Sequence, residues 1–314
     1  MGEANNEIYV RQITAASPDY LRALHLALGT EWLTSSTPAK QVSGLLAHVD
    51  RGTASLDLLF GAYAVGRLVS ACVAVQSPGA AALVFPPPAG PGEVNARGAL
   101  AALEAVKDTA WSRSIRLLQV LTDPEEEQLA STLQEAGFRR LTRLLYLIRP
   151  GDLPGTCSGA AGELTWVAYT PARMRLFCEA LEATYVQSLD CPELNGVRTT
   201  GDVLAGHRAT GIFDPSLWWV AKRDNAAAGV LLLNGVVGES ALEIVYMGVA
   251  QASRGTRVAD ALLDRATRAA RRLGAKTLAL AVDERNIRAR RMYARWDFVQ
   301  TMTRDAWIAS PAHT

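Results

Sequence analysis

The strongest constraint on the fold is a long internal repeat. An alternating segment at residues 8–14 (IYVRQIT) precedes two helical patterns, at about Pro18–Leu28 and Pro38–Arg51. Three apolar strand segments follow (LDLLFGAYAV, RLVSACVAV, AALVF), then a Pro/Gly-rich loop, a helix at about Val94–Trp111, the strand IRLLQVL, a helix at about Pro124–Ala136 and the strand-like FRRLTRLLYLIR. The second half repeats this order with LTWVAY, helices at Pro171–Tyr185 and about Thr200–Thr210, the strands LWWVAKR, AAGVLLLNGV and ALEIVYMGV, and then loop, helix, strand and helix. A period close to half the chain is most simply two copies of one supersecondary unit. The 314 residues suffice for two separate cores. The expected division is a first domain at 1–149, a Gly/Pro-rich linker at 150–162 and a second domain at 163–314.

The copies differ where chemistry would sit. Aligning Gly137-Phe138 with Asp297-Phe298 registers the last helices without a gap, which sets Asn286 opposite Glu126 and Tyr293 opposite Leu133. The turn SRGTRVA then faces PPPAGPGE, in which proline removes backbone donors. In the second half, EIVYMGVA reads as a buried strand and QASRGTR as a tight turn into a helix. Its amides, with the unpaired donors of the first helical turn, would converge on one place suited to phosphate.

Residues 243–298 resemble the cofactor-binding core of the GNAT acyltransferases (GCN5-related N-acetyltransferases). The family's turn runs Arg or Gln, two residues, Gly, one residue, Gly or Ala. Here it reads Arg254, Gly255, Thr256, Arg257, Val258, Ala259, with Arg257 at the position of the central glycine. The family pattern N-x-x-A-x-x-x-Y is matched by Asn286, Ala289 and Tyr293. The resemblance implies an α/β (α+β) fold of two tandem GNAT domains, each a mixed, mostly antiparallel sheet flanked by helices. The first copy would keep the fold without the active site, as in tandem members whose second half alone is active. It also implies acetyl-CoA as acyl donor, held at Arg254, Gly255, Thr256, Arg257, Val258, Ala259 and Asp260, by the main chain of Met247 and Val249, and by Asn286.

Acyl transfer from a thioester to an amine requires a base for the amine and an acid for the departing thiolate. By resemblance Glu243 is the base and Tyr293 the acid. A phenol of ordinary pKa, about 10, is protonated at neutral pH. Taken without the family, Glu243 reads rather as a strand carboxylate in a salt bridge, Asn286 as a helix N-cap and Tyr293 as a core aromatic. Strand alternation would put Glu243, Val245, Met247 and Val249 on one face and Tyr246 on the other. For the acceptor, the segment 185–199 offers Asp190, Glu193 and Asn195, whose carboxylates would suit an ammonium group; a turn and helix cap built on DCPELNG is the even alternative. Cys191 has no neighbouring His and is not expected to act as a nucleophile.

The remaining composition narrows the field. The 32 Lys plus Arg nearly balance the 31 Asp plus Glu, which argues against a nucleic-acid partner. The four cysteines show no metal-ligand spacing, so no metal is expected and the thiols should be free. No apolar run reaches membrane-spanning length. The expectation is a cytoplasmic monomer or homodimer acting on a small-molecule amine, with a non-catalytic CoA-binding sensor or scaffold as the alternative.

Overall fold

A computed structural model describes residues 7–28, 55–87, 92–153 and 164–311. The helical pattern at Pro38–Arg51 and most of the linker segment lie outside these residues. The chain divides into two compact units, one of residues 1–141 with 305–314, the other of residues 142–304.

In the first unit, β1 (Ile8–Gln12), β2 (Leu58–Ala64), β3 (Arg67–Ser77) and β4 (Ala81–Phe85) pair antiparallel in succession, and β4 pairs β5 (Leu117–Thr122) in parallel. The strand beyond β5 comes from the end of the chain: Asp305–Ala309 runs antiparallel to it, Trp307 opposite Val120. Helices α1 (Tyr20–Ala27), α2 (Glu93–Ser112) and α3 (Glu127–Glu135) bury Leu24, Leu26, Ala102, Leu103, Val106 and Leu133. These pack with Leu58, Val73, Leu118 and Trp307 in two clusters. The offset that pairs Phe138 with Phe298 also pairs the first residue of α3 with Ile287, so the sequence register holds. Under it, α2 begins at Glu93, opposite Ser253, where the second unit has a turn.

The second unit has β7 (Thr165–Ala168), α4 (Met174–Tyr185), α5 (Thr200–Ala209), β8 (Ile212–Arg223), β9 (Ala226–Gly235), β10 (Ala241–Val249), α6 (Val258–Arg272), β11 (Thr277–Asp283) and α7 (Ile287–Arg295). The sheet order is β7-β8-β9-β10-β11 and then β6 (Arg139–Pro150), whose residues Leu144–Pro150 pair antiparallel with the whole of β11. Only β10 and β11 run parallel here, so the sheet is mixed and mostly antiparallel. β12 (Val299–Ala309) then carries the chain to its end.

Each sheet is therefore completed, next to its second parallel strand, by the final strand of the other repeat. The repeats end near residue 150, as the sequence indicates, but the compact units exchange these strands and divide between Leu141 and Thr142. Sequence similarity marks the duplication, whereas hydrogen bonding decides which sheet a strand completes.

The two faces of the second sheet differ. On one, α6 presents Val258, Leu262, Leu263, Ala266, Ala269 and Ala270 at helical spacing, and with Trp296 they cover Leu231, Leu242, Ile244 and Leu280. Each fully buried Leu or Val there contributes about 1.5–3 kcal/mol. On the other, α4 and α5 bring Phe177, Leu181 and Leu204 onto Trp218, Val230 and Leu232. Buried Asn234 ties the end of α5 to this sheet: its Oδ1 accepts from Trp218 Nε1 (2.9 Å), while its Nδ2 donates to the carbonyls of His207 (2.7 Å) and Thr210.

Candidate active site

The site begins where β10 leaves β11. Their parallel pairing covers only Ala241–Glu243 against Thr277–Ala279, yet β10 stays with β9 to Val249 and β11 stays with β6 to Asp283. From Ile244 to Val249 one edge of β10 thus has no strand partner among the described residues. The Ala250 N–H donates to Ala228 O, so alternation turns the backbone of Gly248 toward β9 and those of Met247 and Val249 toward the open edge.

A bulge at Val245 corrects the expected alternation. The register against β9 shifts between Ile244 and Tyr246, which inserts one extra residue. Leu242, Ile244, Met247 and Val249 consequently share the α6 face, while Val245 and Tyr246 join the α4/α5 cluster. Glu243, between Leu242 and Ile244, points to the α4/α5 side. Glu243 and Tyr246 therefore share a face, and Met247 and Val249 lie on the opposite one.

The turn after β10 leaves donors unused. Residues 251–253 form a short 3-10 turn, Gly255 adopts φ +74°, and α6 starts at Val258. A Cβ at Gly255 would meet nothing within 4 Å, so its left-handed backbone and not crowding favours glycine there. The amides of Gly255, Thr256, Arg257, Ala259 and Asp260 have no acceptor among the described residues, and that of Val258 has only a long 3.4 Å contact with Thr256 Oγ1. Arg257, at φ −84° and ψ 15°, is in ordinary backbone space, so it presents its N–H without needing the family's glycine. The Arg254 side chain is committed elsewhere: it donates to Val249 O (3.2 Å), Gln187 O (3.0 Å) and Thr184 O (2.9 Å), securing the C-terminal end of α4. Asp260 Oδ1 accepts from Trp296 Nε1 at 2.9 Å.

Two titratable groups flank the opening from opposite faces. Glu243 is half-buried and forms no hydrogen bond or ion pair among the described residues; desolvation pushes its carboxyl above the usual range. Tyr293 is buried in the α6/α7 core, edge-on to Phe298 with centroids 5.5 Å apart, and its pKa is raised by desolvation and then by the charge of Asp190. Its hydroxyl has no hydrogen-bond partner among the described residues. Asn286 is the N-cap of α7, its Oδ1 accepting from Ala289 N at 3.2 Å, as its residue type suggested. Gly248 lets α4 approach β10: a Cβ there would lie 2.7 Å from both Thr184 Cβ and Tyr246 Oη. Because Thr184 Oγ1 donates to Leu181 O (2.6 Å), Tyr246 Oη donates to Thr184 Oγ1 (2.6 Å).

The segment after α4 is latched to the end of β11. Fully buried Asp283 accepts from Thr142 Oγ1 (2.6 Å), Cys191 N (3.2 Å) and both the backbone N (2.8 Å) and Nη2 (2.6 Å) of Arg285. Burial alone would raise its pKa, but the donors from Arg285 and Thr142 hold it below the usual range. Arg285 also grips Glu193 through two bonds of 2.6 and 3.0 Å. Asp190 Oδ1 accepts from Asp283 N at 3.3 Å; its carboxyl is pushed up by desolvation and by the charge of Asp283, against the pull of that backbone donor. Glu193 is thus neutralised and Asp190 engaged, which leaves the pair little excess charge for an ammonium group. Asn195 is exposed and bonded to none of these residues.

Sequence reasoning missed Asp283, Arg285 and Thr142. The charged run DERN directly after an apolar strand was the available signal, but Thr142 and Cys191 are distant in sequence.

With this geometry in place, comparison with known proteins is informative. Residues 184–298 match the profile of the acetyltransferase (GNAT) family. Over that stretch the chain is similar to a GNAT acetyltransferase domain. A GCN5-related N-acetyltransferase from Sphaerobacter thermophilus is similar in structure with a TM-score of 0.59 and 16% identity, over 96% of this chain and 95% of that one. A tandem GNAT protein from the clavulanic acid biosynthesis pathway aligns with a TM-score of 0.49 and 16% identity, over 98% of this chain and 100% of its own. A comparison with curated proteins finds no match. No described helix is long and apolar enough to cross a membrane, and no group of side chains that could hold a metal occurs among the described residues.

Proposed function

We propose that the second unit is an acetyl-CoA-dependent N-acyltransferase acting on a small-molecule amine. The observation that carries this reading is a set of unpartnered amides at the start of α6, next to the unpaired edge of β10. Water can satisfy these donors at exposed Gly255, Thr256 and Arg257 until an anion displaces it, and the amides of Gly255, Thr256, Arg257, Ala259 and Asp260 suit a pyrophosphate at a helix N-terminus. The free backbone groups of Met247 and Val249 suit an extended amide-bearing arm, which would add to the edge as a strand does. Arg257 adds a cation near the turn.

Acetyl-CoA supplies an activated acyl thioester. Glu243 takes the proton that the amine gives up as its nitrogen bonds to carbon. Desolvation suits it to this task, since a raised carboxyl pKa makes a stronger base. Tyr293, which stays protonated, holds the proton that the departing sulfur needs as its bond to carbon breaks. Base and acid lie on opposite faces of the sheet, so amine and thiolate need not compete for one space. Asn286 orders the start of α7 and with it Tyr293.

The test combines calorimetric titration of acetyl-CoA with thiol release in the presence of amines. Arg257→Asp places a carboxylate at the exposed turn, where the helix dipole tolerates or favours it by roughly 0.3–1 kcal/mol; it should retain folding and abolish acetyl-CoA binding. Glu243→Gln should bind acetyl-CoA and lose turnover. Binding unaffected by Arg257→Asp would overturn the assignment of the turn. Binding without turnover of any amine by the wild type would favour the sensor or scaffold.

A further inference from the structure

Along β11, one face changes abruptly from exposed to buried. Leu278, Leu280 and Val282 join the α6 core, so Ala279, Ala281 and Asp283 face the other way, on the side of Glu243. Ala281 is exposed, whereas Asp283, two residues on, is fully buried where the 190–193 segment is bonded to it. That segment covers the end of the face and stops short of Ala281. Register extends the open surface by one more strand. Glu243 pairs with Ala279, Ala279 with Ile148 and Ala281 with Tyr146, and directly paired residues share a face. Leu145 and Leu147 agree with this alternation, since both join the α6 core.

Glu243, Ala279, Ala281, Ile148 and Tyr146 thus form one stretch of sheet, all within the second unit. Each is half-buried or exposed. The α4/α5 cluster takes its sheet residues from β8, β9 and β10 and none from β11 or β6, so those helices leave this stretch open. Its chemistry is one carboxylate and an apolar floor. Two alanines leave space above the sheet, and Ile148 and Tyr146 bound it on the far strand. The Tyr146 hydroxyl forms no hydrogen bond among the described residues; desolvation and then the charge of Glu243 raise its pKa, so it stays neutral. β10 and β6 are two strands apart, which separates the backbones of Glu243 and Tyr146 by about 10 Å across the sheet and about 7 Å along it. The two side chains span part of that gap. An amine held at Glu243 would lay its substituent over Ala279 and Ala281 and against Tyr146. Such a floor gives a polar or charged substituent no partner in exchange for its water.

We propose that this stretch is the acceptor platform and Tyr146 its specificity-determining residue, so the acceptor is a primary amine with an apolar, preferably aromatic, body. This rests on the acyltransferase reading of Glu243. In sequence Tyr146 belongs to the final strand of the first repeat, so the copy without the anion-suited turn supplies part of the substrate floor to the copy that has it.

The test measures thiol release at saturating acetyl-CoA with benzylamine, 2-phenylethylamine and 3-phenylpropylamine, against ethanolamine, glycine and 1,4-diaminobutane, with ethylamine as the reference that has almost no body. The wild type should favour the best phenylalkylamine over each polar amine by about tenfold or more in kcat/KM. Tyr146→Ala should lower kcat/KM for that substrate by about tenfold, mainly through KM, and change ethylamine by less than about threefold. Tyr146→Phe should keep most of the preference, which separates ring packing from the hydroxyl. Ala281→Leu, at an exposed position, should obstruct the floor and exclude phenylalkylamines while sparing ethylamine. Acetyl-CoA affinity by calorimetry, within about twofold of wild type, is the folding control for each variant, and Ala281→Leu decides if Tyr146→Ala fails it. Polar amines used as well as or better than phenylalkylamines by the wild type, or an unchanged phenylalkylamine-to-ethylamine ratio in a variant that passes the control, overturns the platform. Absence of acetyl-CoA binding, or binding with no amine acetylated, overturns the acyltransferase reading instead.

Discussion

Replacing Arg285 by Ala should destabilise the second unit far more than the exposure of Arg285 suggests. The Arg285–Glu193 pair has 42% and 32% exposed side chains, and such pairs contribute only about 0.2–1 kcal/mol. The Asp283 side chain has 0% exposure, and removing the partner of a buried charge costs about 3–5 kcal/mol. Asp283 keeps the donors from Thr142, Cys191 N and the backbone N of residue 285, which places the loss near the lower figure, about 3 kcal/mol. For a unit of this size that lowers Tm by roughly 6–12 °C. Glu193→Gln should cost under about 1 kcal/mol. Asp283→Asn should suppress most of the effect of Arg285→Ala, because the orphaned charge is then gone; the coupling expected in the double-mutant cycle is about 1.5–3 kcal/mol.

The pH dependence has a definite sign. In the wild type the folded pKa of Asp283 is depressed, so its contribution is present above the unfolded carboxylate value and is lost as pH falls through the folded one. In Arg285→Ala, burial is opposed by fewer donors and the folded pKa rises. The penalty is then largest at neutral pH and shrinks as pH falls toward that raised pKa. Scanning calorimetry of the wild type, the two single variants at 283 and 285 and their double variant, at about pH 5 and about pH 7.5, checks both points. A loss in Arg285→Ala no greater than in Glu193→Gln, or one that is unchanged when Asp283→Asn is already present, refutes the reasoning.

Further outcomes follow from the same geometry. The pH profile of kcat/KM should have an acid limb above the ordinary carboxylate range, because burial raises Glu243 and the basic form is active; Glu243→Gln should lower the rate by about 10²–10⁴, and an identical limb in that variant would exclude Glu243 as its source. Gly248→Ala should cost about 1–3 kcal/mol by overpacking and disturb the Tyr246–Thr184 bond, since the new Cβ falls 2.7 Å from both side chains; an unshifted urea midpoint would contradict this. A polypeptide of residues 163–314 lacks the strand that pairs with all of β11 and supplies Leu145 and Leu147 to the core, so it should show no cooperative melt, whereas residues 142–304 should melt cooperatively. Equal cooperativity of the two would show that the exchanged strand is dispensable.

Much of this protein was legible without coordinates, because the features concerned are local. The helices and strands of each repeat follow from hydrophobic period, the capping role of Asn286 from its residue type ahead of a helix, and the donor-rich turn from Gly255 between a strand and a helix. Other features depend on register and packing, which neighbouring residues in sequence do not encode. One inserted residue at Val245 sends Tyr246 to the face of Glu243 and leaves Met247 on the other, and alternation counted along the strand cannot detect it. The exchange of final strands is invisible because either copy of that strand is equally apolar; only the hydrogen-bond partners distinguish them. The acidic residues of the 190–193 segment resembled a trap for a cation, but Arg285 and Asp283, about ninety residues away, consume them. By itself the sequence determined the order of elements in the duplicated fold, the glycine-bearing turn ahead of α6 and the capping residue of α7. The tertiary structure alone decided which charges are consumed by one another, because that depends on which distant side chains share a buried space and lose their water together.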